Sequence, residues 1–219
     1  MEAVPDFIRS ISIWALPTIF AIIAHEVMHG VIALRLGDDT ALRAGRLTLN
    51  PISHIDPFGT IIMPAILLFL HLPVFGYAKP VPVNFSRLRN GRTGMMEVAA
   101  AGPLTNFVLA IASAIGMRAA LRFVGGPMGA EIAAPLAYML RDSVLINVAL
   151  GIFNLFPLLP LDGGRVLTGI LPLSMARAFA QTERYGFLIL LVLLYTGWFN
   201  AVIDPIINVT LSVISRTLL

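Results

Sequence analysis

The sequence predicts an all-α protein that crosses a membrane several times. Of its 219 residues, 58% are hydrophobic and only 12% are charged, whereas a soluble domain usually carries about 25% charged residues. The apolar residues are gathered into runs of the length that a bilayer requires, roughly 20 residues of helix. A single membrane-embedded domain over residues 1–219 fits this length and composition.

Four apolar runs are candidates for membrane-spanning helices. They cover residues 11–34, 95–120, 142–159 and 185–203, and are named spans A to D. We expect Asp204-Pro205 to end span D. Residues 206–219 are then either a further short span or an amphipathic helix on the membrane surface. The N-terminus has neither the basic stretch nor the cleavage site of a secretory signal, so we expect span A to be retained.

The segment between spans A and B is predicted not to cross. Residues 61–72 are apolar but would reach only about 18 Å as a helix, which is short of the ~30 Å hydrocarbon core. We interpret them as a re-entrant or interfacial segment. Residues 76–84, GYAKPVPVN, are rich in Pro and Val and predict an extended, β-like backbone. Such a backbone must be buried in protein, line a cavity or lie at the interface.

The basic residues support this topology. If residues 61–72 do not cross, ten Lys and Arg residues lie on the side reached by the end of span A, and four lie on the other side, with Arg216 undecided. Because Lys and Arg collect in cytoplasmic loops, we expect a multi-pass protein of the cell (inner or plasma) membrane with its N-terminus outside. No basic arm or interleaving of basic and aromatic residues indicates nucleic-acid binding.

Span A contains the chemistry. His25-Glu26-Val27-Met28-His29 is an H-E-x-x-H pattern, and residues i and i+4 of a helix share a face, so both imidazoles can bind one metal ion. Glu26 would be placed to take a proton from metal-bound water. The alternative is a buried polar cluster satisfied by its neighbours. Three ionisable residues lie in this apolar helix, and inserting each charged group into a membrane costs ~2.5–3.5 kcal/mol. Helix packing does not require such residues, so their presence favours the metal site.

Asp162 is the best candidate for a third ligand. Catalytic zinc typically has three protein ligands and an open position. The chain has no cysteine, and Asp162 follows span C in NLFPLLPLDGGR, where Pro157 and Pro160 break the helix. With only span B between them, spans A and C run parallel. The inner ends of both spans, which carry His25, His29 and Asp162, therefore share one level in the membrane.

Three further polar residues are candidates. Asn106 lies early in span B, in AAAGPLTNF, and Asn154 lies late in span C. Two interpretations stay open for both: hydrogen bonding between helices, or binding of an unwound substrate backbone together with stabilisation of an oxyanion. His54, in NPISHIDPFGT, is predicted to be structural rather than a ligand, although the nearby Asp56 keeps a metal role open.

At HEVMHG and NLFPLLPLDGGR the sequence resembles the site-2 protease family of intramembrane zinc metalloproteases. AAAGPLTNF resembles the family's middle core helix, and NPISHIDPFGT and GYAKPVPVN resemble its short-form prokaryotic branch. The resemblance covers about residues 21–165. It implies a three-helix catalytic core, spans A to C, within residues 11–165, followed by one or two C-terminal helices over about residues 183–219.

The resemblance also implies the site. One Zn²⁺ per chain would be held by His25, His29 and Asp162, with Glu26 as the general base and Asn154 handling the substrate. The chain departs from many members in having no room for a PDZ or CBS domain. It also has Met28 where a small residue is more usual.

The predicted function is hydrolysis of peptide bonds in or near transmembrane segments of other membrane proteins, as in regulated intramembrane proteolysis. The expected partners are such substrates and the lipid bilayer, with the oligomeric state left open. From the residues alone, two alternatives remain. One is a membrane metal-ion transporter, because intramembrane ionisable residues also mark ion pathways. The other is a non-catalytic partner that binds membrane proteins.

Overall fold

The computed structural model describes residues 3–69, 79–126 and 129–218, and every regular element in these ranges is helical. The predicted all-α class is therefore confirmed. In chain order the α-helices are α1 Ala3–Arg35, α2 Thr40–Arg43, α3 Met63–Phe69, α4 Gly91–Leu121, α5 Ala134–Asn154, α6 Asp162–Ile170, α7 Leu173–Ala180, α8 Glu183–Tyr195 and α9 Trp198–Leu218. Short 3₁₀ turns cover Pro51–His54 and Phe85–Arg87, and π turns cover Pro57–Ile62 and Gly129–Ala133.

Four helical stretches in the described ranges are long and apolar enough to cross a membrane. They are Ile13–Arg35 of α1, Gly91–Leu121, Glu131–Asn154 and Trp198–Leu218. This agrees with the predicted polytopic protein. Span C, predicted at residues 142–159, in fact begins and ends earlier. Arg141 and Asp142 form an ion pair of 2.9 Å inside α5 rather than marking its boundary, and the helix ends before Pro157.

Helix α4 is the centre of the bundle and packs against α1, α5, α6 and α9. Its buried residues are mostly small, among them Ala99, Gly102, Ala110 and Ala114. Small residues let helix backbones approach closely, which matters in a membrane because lipid provides no hydrophobic driving force between helices. α1 and α5 both pack against α4 and against each other, so these three helices form a core.

Helix α9 runs from the end of the bundle that holds the end of α5 to the opposite end. Near its start, the Phe199 ring lies 5.2 Å from that of Phe153 and 4.9 Å from that of Phe156, which lie at and just beyond the end of α5. Near its end, the Leu218 carbonyl accepts a hydrogen bond of 3.4 Å from Arg118, near the end of α4. α9 is therefore antiparallel to α5 and parallel to α4.

The predicted span D, residues 185–203, is wrong. The apolar run is divided at Gly197, whose φ of 71° ends α8 and turns the chain into α9. Asp204-Pro205 does not end a helix but lies inside α9. Prolines are tolerated in membrane helices. Residues 206–218 accordingly belong to a helix that is long and apolar enough to span a membrane, which favours a span over a surface helix.

Helices α7 and α8 are bent by 66° and would make a fifth span only as one broken unit. The start of α9 lies beside the end of α5, so a crossing by α7 and α8 would place α9 at the wrong end of the bundle. α6, α7 and α8 therefore bring the chain back to the end of the bundle at which α5 ends, with Leu190 of α8 buried in the same apolar cluster as Phe199.

The chain between α1 and α4 returns to the side on which it left. The Arg89 amide, just before α4, donates to the Leu36 carbonyl, just after α1, over 2.9 Å. The described residues of helix α3 cover about 10 Å, which is less than a span requires. Of the segment predicted to be re-entrant or interfacial, residues 70–72 lie outside the described residues, as do residues 76–78 of the predicted extended segment.

The described part of that extended segment, residues 79–84, has neither helix nor strand. Its exposure nevertheless alternates: Val81 is buried and Val83 and Phe85 are partly buried, whereas Pro82 and Asn84 are exposed. An alternation with a period of two is typical of extended backbone with one face against protein. The face formed by Val81, Val83 and Phe85 lines the cleft described below.

Candidate metal centre

His25 and His29 lie one turn apart on the face of α1 that packs against α4. Their ring centroids are 4.7 Å apart and their planes meet at 84°. Both residues are buried, with 7% and 9% of their surface exposed. The i, i+4 spacing therefore brings two imidazoles together inside the bundle, as the pattern predicted.

Asp162 reaches the same point from the other side. α5 ends at Asn154, the chain turns through a short loop that contains Pro157 and Pro160, and Asp162 begins α6. Its Oδ2 atom lies 3.1 Å from His25 Nε2 and 3.3 Å from His29 Nε2. The metal-binding atoms of the three residues all lie within 4.8 Å of one another.

Hydrogen bonds to acceptors on α4 orient both imidazoles. His25 Nδ1 donates to the Asn106 side-chain oxygen over 2.6 Å, and His29 Nδ1 donates to the Val98 carbonyl over 2.7 Å. Because both partners can only accept, Nδ1 carries the hydrogen and the lone pair of a neutral ring lies on Nε2. This is the arrangement that holds metal-binding histidines in other proteins.

The donor set fits a divalent metal such as zinc. Two Nε2 lone pairs and a carboxylate oxygen converge, and they repel one another unless a proton or a cation lies between them. Burial would raise the pKa of Asp162, but hydrogen bonds and positive charge from His25 and His29, when protonated, lower it to about 2. Asp162 is therefore a carboxylate at neutral pH. Two imidazoles and one carboxylate are among the common ligand sets of catalytic zinc.

Glu26 lines the same cleft, which has a volume of about 340 Å³. Its Oε2 atom accepts a hydrogen bond of 2.9 Å from the Val81 backbone amide. Its other oxygen, Oε1, has no hydrogen-bond partner among the described residues. One oxygen is thus held by the chain while the other is free to handle a proton.

Asn106 and Asn154, the two candidate substrate residues, occupy different environments. Asn154 lines the cleft, and its amide donates to the Leu150 carbonyl over 3.0 Å. Asn106 is fully buried, and besides His25 it bonds the Ala21 carbonyl and the Asn147 side chain. These contacts are those of an interhelical hydrogen-bonding residue. A substrate role stays a prediction for both.

His54 lies apart from this cluster. It is buried, and its Nε2 donates to the Thr48 carbonyl over 2.8 Å. Among the described residues, only His25, His29 and Asp162 come close enough together to share a metal ion. A structural role for His54 stays a prediction.

Two residues near the site were missed by the sequence analysis. Asn147, on α5, accepts a hydrogen bond of 2.9 Å from Asn106 and donates to the Ser143 carbonyl. Gly102 faces the imidazoles so closely that a Cβ atom there would lie 2.5 Å from His29 Nε2 and 2.6 Å from His25 Nε2. Asn147 had a visible signal, since it is a polar residue inside an apolar span. Gly102 had none that distinguished it from other glycines.

An H-E-x-x-H motif on a helix apolar enough to span a membrane, a carboxylate as third ligand and an adjoining cleft define a membrane-embedded metallopeptidase. Comparison with known proteins assigns the family. The sequence profile of Peptidase family M50 matches residues 118–196, a stretch that includes Asp162. No solved structure matches the chain.

Three relatives extend this match. The chain is 37% identical over 184 residues to YwhC of Bacillus subtilis, a candidate zinc metalloprotease by name. The alignment covers 84% of this chain and 80% of YwhC. It is 30% identical over 195 residues to Rip2 of Mycolicibacterium smegmatis, also a candidate zinc metalloprotease by name. That alignment covers 89% of this chain and 69% of Rip2. It is 33% identical over 97 residues to the zinc metalloprotease MJ0392 of Methanocaldococcus jannaschii, in an alignment that covers 44% of this chain and 23% of MJ0392. The chain therefore belongs to peptidase family M50, the site-2 protease family, as the motifs indicated.

Proposed function

We propose that this chain is a zinc endopeptidase that hydrolyses peptide bonds in or near transmembrane segments of other membrane proteins. The observation that carries the proposal is the convergence of His25, His29 and Asp162 beside Glu26, in a bundle whose long helices are apolar enough to span a membrane. In this proposal the three converging residues hold one zinc ion and Glu26 is the general base.

The chemistry is divided between the metal and the chain. Zinc, when bound, supplies a Lewis acid that acidifies water and polarises the scissile carbonyl. The Val81 amide holds Glu26 Oε2, which leaves Oε1 to take a proton from the attacking water. Glu26 then gives that proton to the leaving amine. Asn106 and the Val98 carbonyl keep both imidazoles oriented throughout.

The substrate must present an extended backbone. A helix hides its carbonyls in internal hydrogen bonds, so a transmembrane segment has to unwind locally before it is cut. The face formed by Val81, Val83 and Phe85 lines the cleft, and an unwound segment would pair with it by β-strand addition. Asn154, in the same cleft, would hold a backbone group of the substrate.

The cleft opens on the cytoplasmic side in this proposal. Of the 15 Lys and Arg residues, ten lie on the side that holds the site. They are Arg35, Arg43, Arg46, Lys79, Arg87, Arg89, Arg92, Arg165, Arg177 and Arg184. The direction of α9 puts Arg216 with Arg9, Arg118, Arg122 and Arg141 on the other side. The resulting ratio of ten to five supports an N-terminus outside the cell.

We further propose that residues 1–219 form one peptidase domain, with a core over about residues 11–165 and a C-terminal part over about 183–219. The support is the shared apolar cluster, in which Leu190 and Phe199 of the C-terminal part pack with Val148 of α5.

Glu26→Gln tests the proposal directly. The full chain is purified in detergent, its zinc content is measured, and cleavage is assayed against a panel of single-span reporter proteins tagged at both ends. We expect Glu26→Gln to keep one zinc per chain and to lose cleavage, because the amide cannot accept the proton. Glu131→Gln, an exposed glutamate on the opposite side, should keep both zinc and cleavage.

Two results would overturn the proposal. One is cleavage that survives in Glu26→Gln at the wild-type rate. The other is zinc flux across vesicles that contain the chain, with no cleavage of any reporter, which would favour the transporter.

A further inference from the structure

Arg46 is a buried cation without a carboxylate partner among the described residues. Only 8% of its surface is exposed. Its guanidinium donates to three backbone carbonyls: to Ser53 through Nη1, and through Nη2 to Lys79 over 2.6 Å and to Pro80 over 3.5 Å. A buried charge is costly. The planar five-donor fork of arginine is suited to holding several acceptors at fixed positions.

The backbone that Arg46 holds is the one that reaches Glu26. Lys79 also donates its amide to the His54 carbonyl over 2.9 Å, so residues 79 and 80 are fixed from two sides. The next amide, that of Val81, donates to Glu26 Oε2 over 2.9 Å. Because proline has no N–H, Val81 provides the only amide donor in residues 80–82.

Close packing holds Leu47 and Val81 against α1. Gly30 lies one helical turn after Glu26, and a Cβ atom there would lie 2.5 Å from Leu47 Cδ2 and 2.8 Å from Val81 Cγ1. Leu47, the neighbour of Arg46, and Val81 therefore both rest on the helix that carries Glu26. The loop after α2, residues 79–81 and α1 form one packed unit around this carboxylate.

We infer that Arg46 is a positioning residue for Glu26: its guanidinium fixes residues 79 and 80 so that the Val81 amide holds the Glu26 carboxylate over the cleft. The inference rests on the proposed role of Glu26 as the general base. His25, His29 and Asp162 are oriented by other groups, so Arg46 acts on proton transfer and leaves the metal ligands in place.

Four substitutions in the purified full chain separate this role from a merely structural one, using a single-span reporter that the wild type cleaves. Arg46→Met should lower kcat roughly tenfold or more, change KM less than kcat, and leave zinc per chain unchanged. Arg46→Lys should recover part of kcat, since one ammonium reaches fewer carbonyls. Val81→Pro removes the amide donor at similar side-chain volume and should lower kcat similarly. Val81→Ala keeps the amide and should lose less.

The double variant Arg46→Met/Val81→Pro is decisive. If both changes act through one hydrogen bond, its kcat should be no lower than that of the more impaired single variant. Losses that multiply in the double variant would overturn the inference. So would an unchanged kcat in Arg46→Met, or a loss of zinc that accompanies the loss of kcat.

The outcomes also separate the inference from the proposed function. If cleavage survives in Glu26→Gln, Glu26 is not the general base, and the proposed function and the inference are both overturned. If Glu26 is required but Arg46→Met cleaves like the wild type, only the inference falls. If Arg46→Met does not fold, as judged by thermal unfolding in detergent, Val81→Pro against Val81→Ala carries the test, and equal kcat values in this pair overturn the inference.

Discussion

The two halves of the candidate metal centre are held in different ways. On α1, His25 and His29 are oriented by hydrogen bonds to Asn106 and Val98, which belong to another helix. Around Asp162, by contrast, close backbone packing sets the geometry. A Cβ atom at the next residue, Gly163, would lie only 2.1 Å from the Leu155 carbonyl oxygen.

The difference indicates what each half can tolerate. The histidines depend on polar partners that can be removed one at a time, so the loss of one partner should weaken zinc binding only in part. Asp162 depends on a turn in which the backbone folds onto itself, so one added methyl group should displace the whole turn. The substitutions below test this contrast, from the largest expected effect to the smallest.

Gly163→Ala should have the largest effect. The new methyl group would overlap the Leu155 carbonyl, and backbone cannot move away as a flexible side chain can. We expect zinc binding and cleavage to be lost and the melting temperature in detergent to fall. Gly125→Ala, where a Cβ atom meets nothing within 4 Å, is the control. Wild-type zinc content in Gly163→Ala would contradict the contrast.

Gly102→Ala should separate zinc binding from folding. Alanine favours the helix more than glycine does, so α4 itself should not be weakened. The methyl group would, however, lie only 2.5 Å from His29 Nε2 and 2.6 Å from His25 Nε2, so both imidazoles would have to move. We expect zinc affinity to fall by at least about 100-fold with little change in melting temperature, measured by competition with a zinc chelator. Gly116→Ala, on the same helix and 3.3 Å from Leu140, should keep its zinc affinity.

Asn106→Leu should weaken the histidine half without destroying it. The His25 Nδ1–H would lose its acceptor, and the loss of such a partner typically costs about 10- to 100-fold in metal affinity. Asn106→Asp keeps an acceptor oxygen and should bind zinc more tightly than Asn106→Leu. Equal affinities in the two variants would show that the hydrogen bond does not orient His25.

Asp38→Asn lies outside both halves and should affect stability alone. The Asp38 carboxylate is buried and accepts hydrogen bonds from Thr40 and from the Asn84 amide. Burial acts to raise the pKa of Asp38, but these hydrogen bonds outweigh it and lower the pKa below its ordinary value. The carboxylate thus stabilises the fold above pH ~3.9, and this contribution disappears as the pH falls through the lower folded-state pKa.

We therefore expect Asp38→Asn to melt a few degrees below the wild type at pH 7. The two melting curves should converge when the pH falls below the folded-state pKa of Asp38. Zinc per chain should match the wild type at pH 7. A melting-temperature difference that does not change with pH would assign the effect to packing instead of charge.

The sequence predicted those parts of the site that are written in short patterns. His25, Glu26 and His29 follow from helical spacing, and the parallel course of spans A and C was enough to bring Asp162 to the same level. Arg46 was counted only as one of ten basic residues on its side, because nothing in a sequence says that a given arginine is buried against carbonyls. Gly102 was missed for the same reason, since its neighbours come from another helix.

The C-terminal helices were predicted less well. Hydropathy measures how long an apolar run is, but it does not give the direction in which the chain travels. Residues 185–203 read as one span because Gly197 interrupts a run that stays apolar on both sides. The course of α9 became clear only from contacts between distant residues, such as Phe199 with Phe156 and Arg118 with Leu218.

The pair of prolines around Val81 has a consequence for substrate choice. Residues 80–82 have a single amide hydrogen, and Glu26 already accepts it. In the proposed strand addition, an incoming peptide that pairs with these residues finds no amide hydrogen free to donate, so it would be held there through its own amide hydrogens. A proline in the incoming chain at that register would leave a carbonyl unpaired, and the molecule would discriminate against it whatever the neighbouring side chains were.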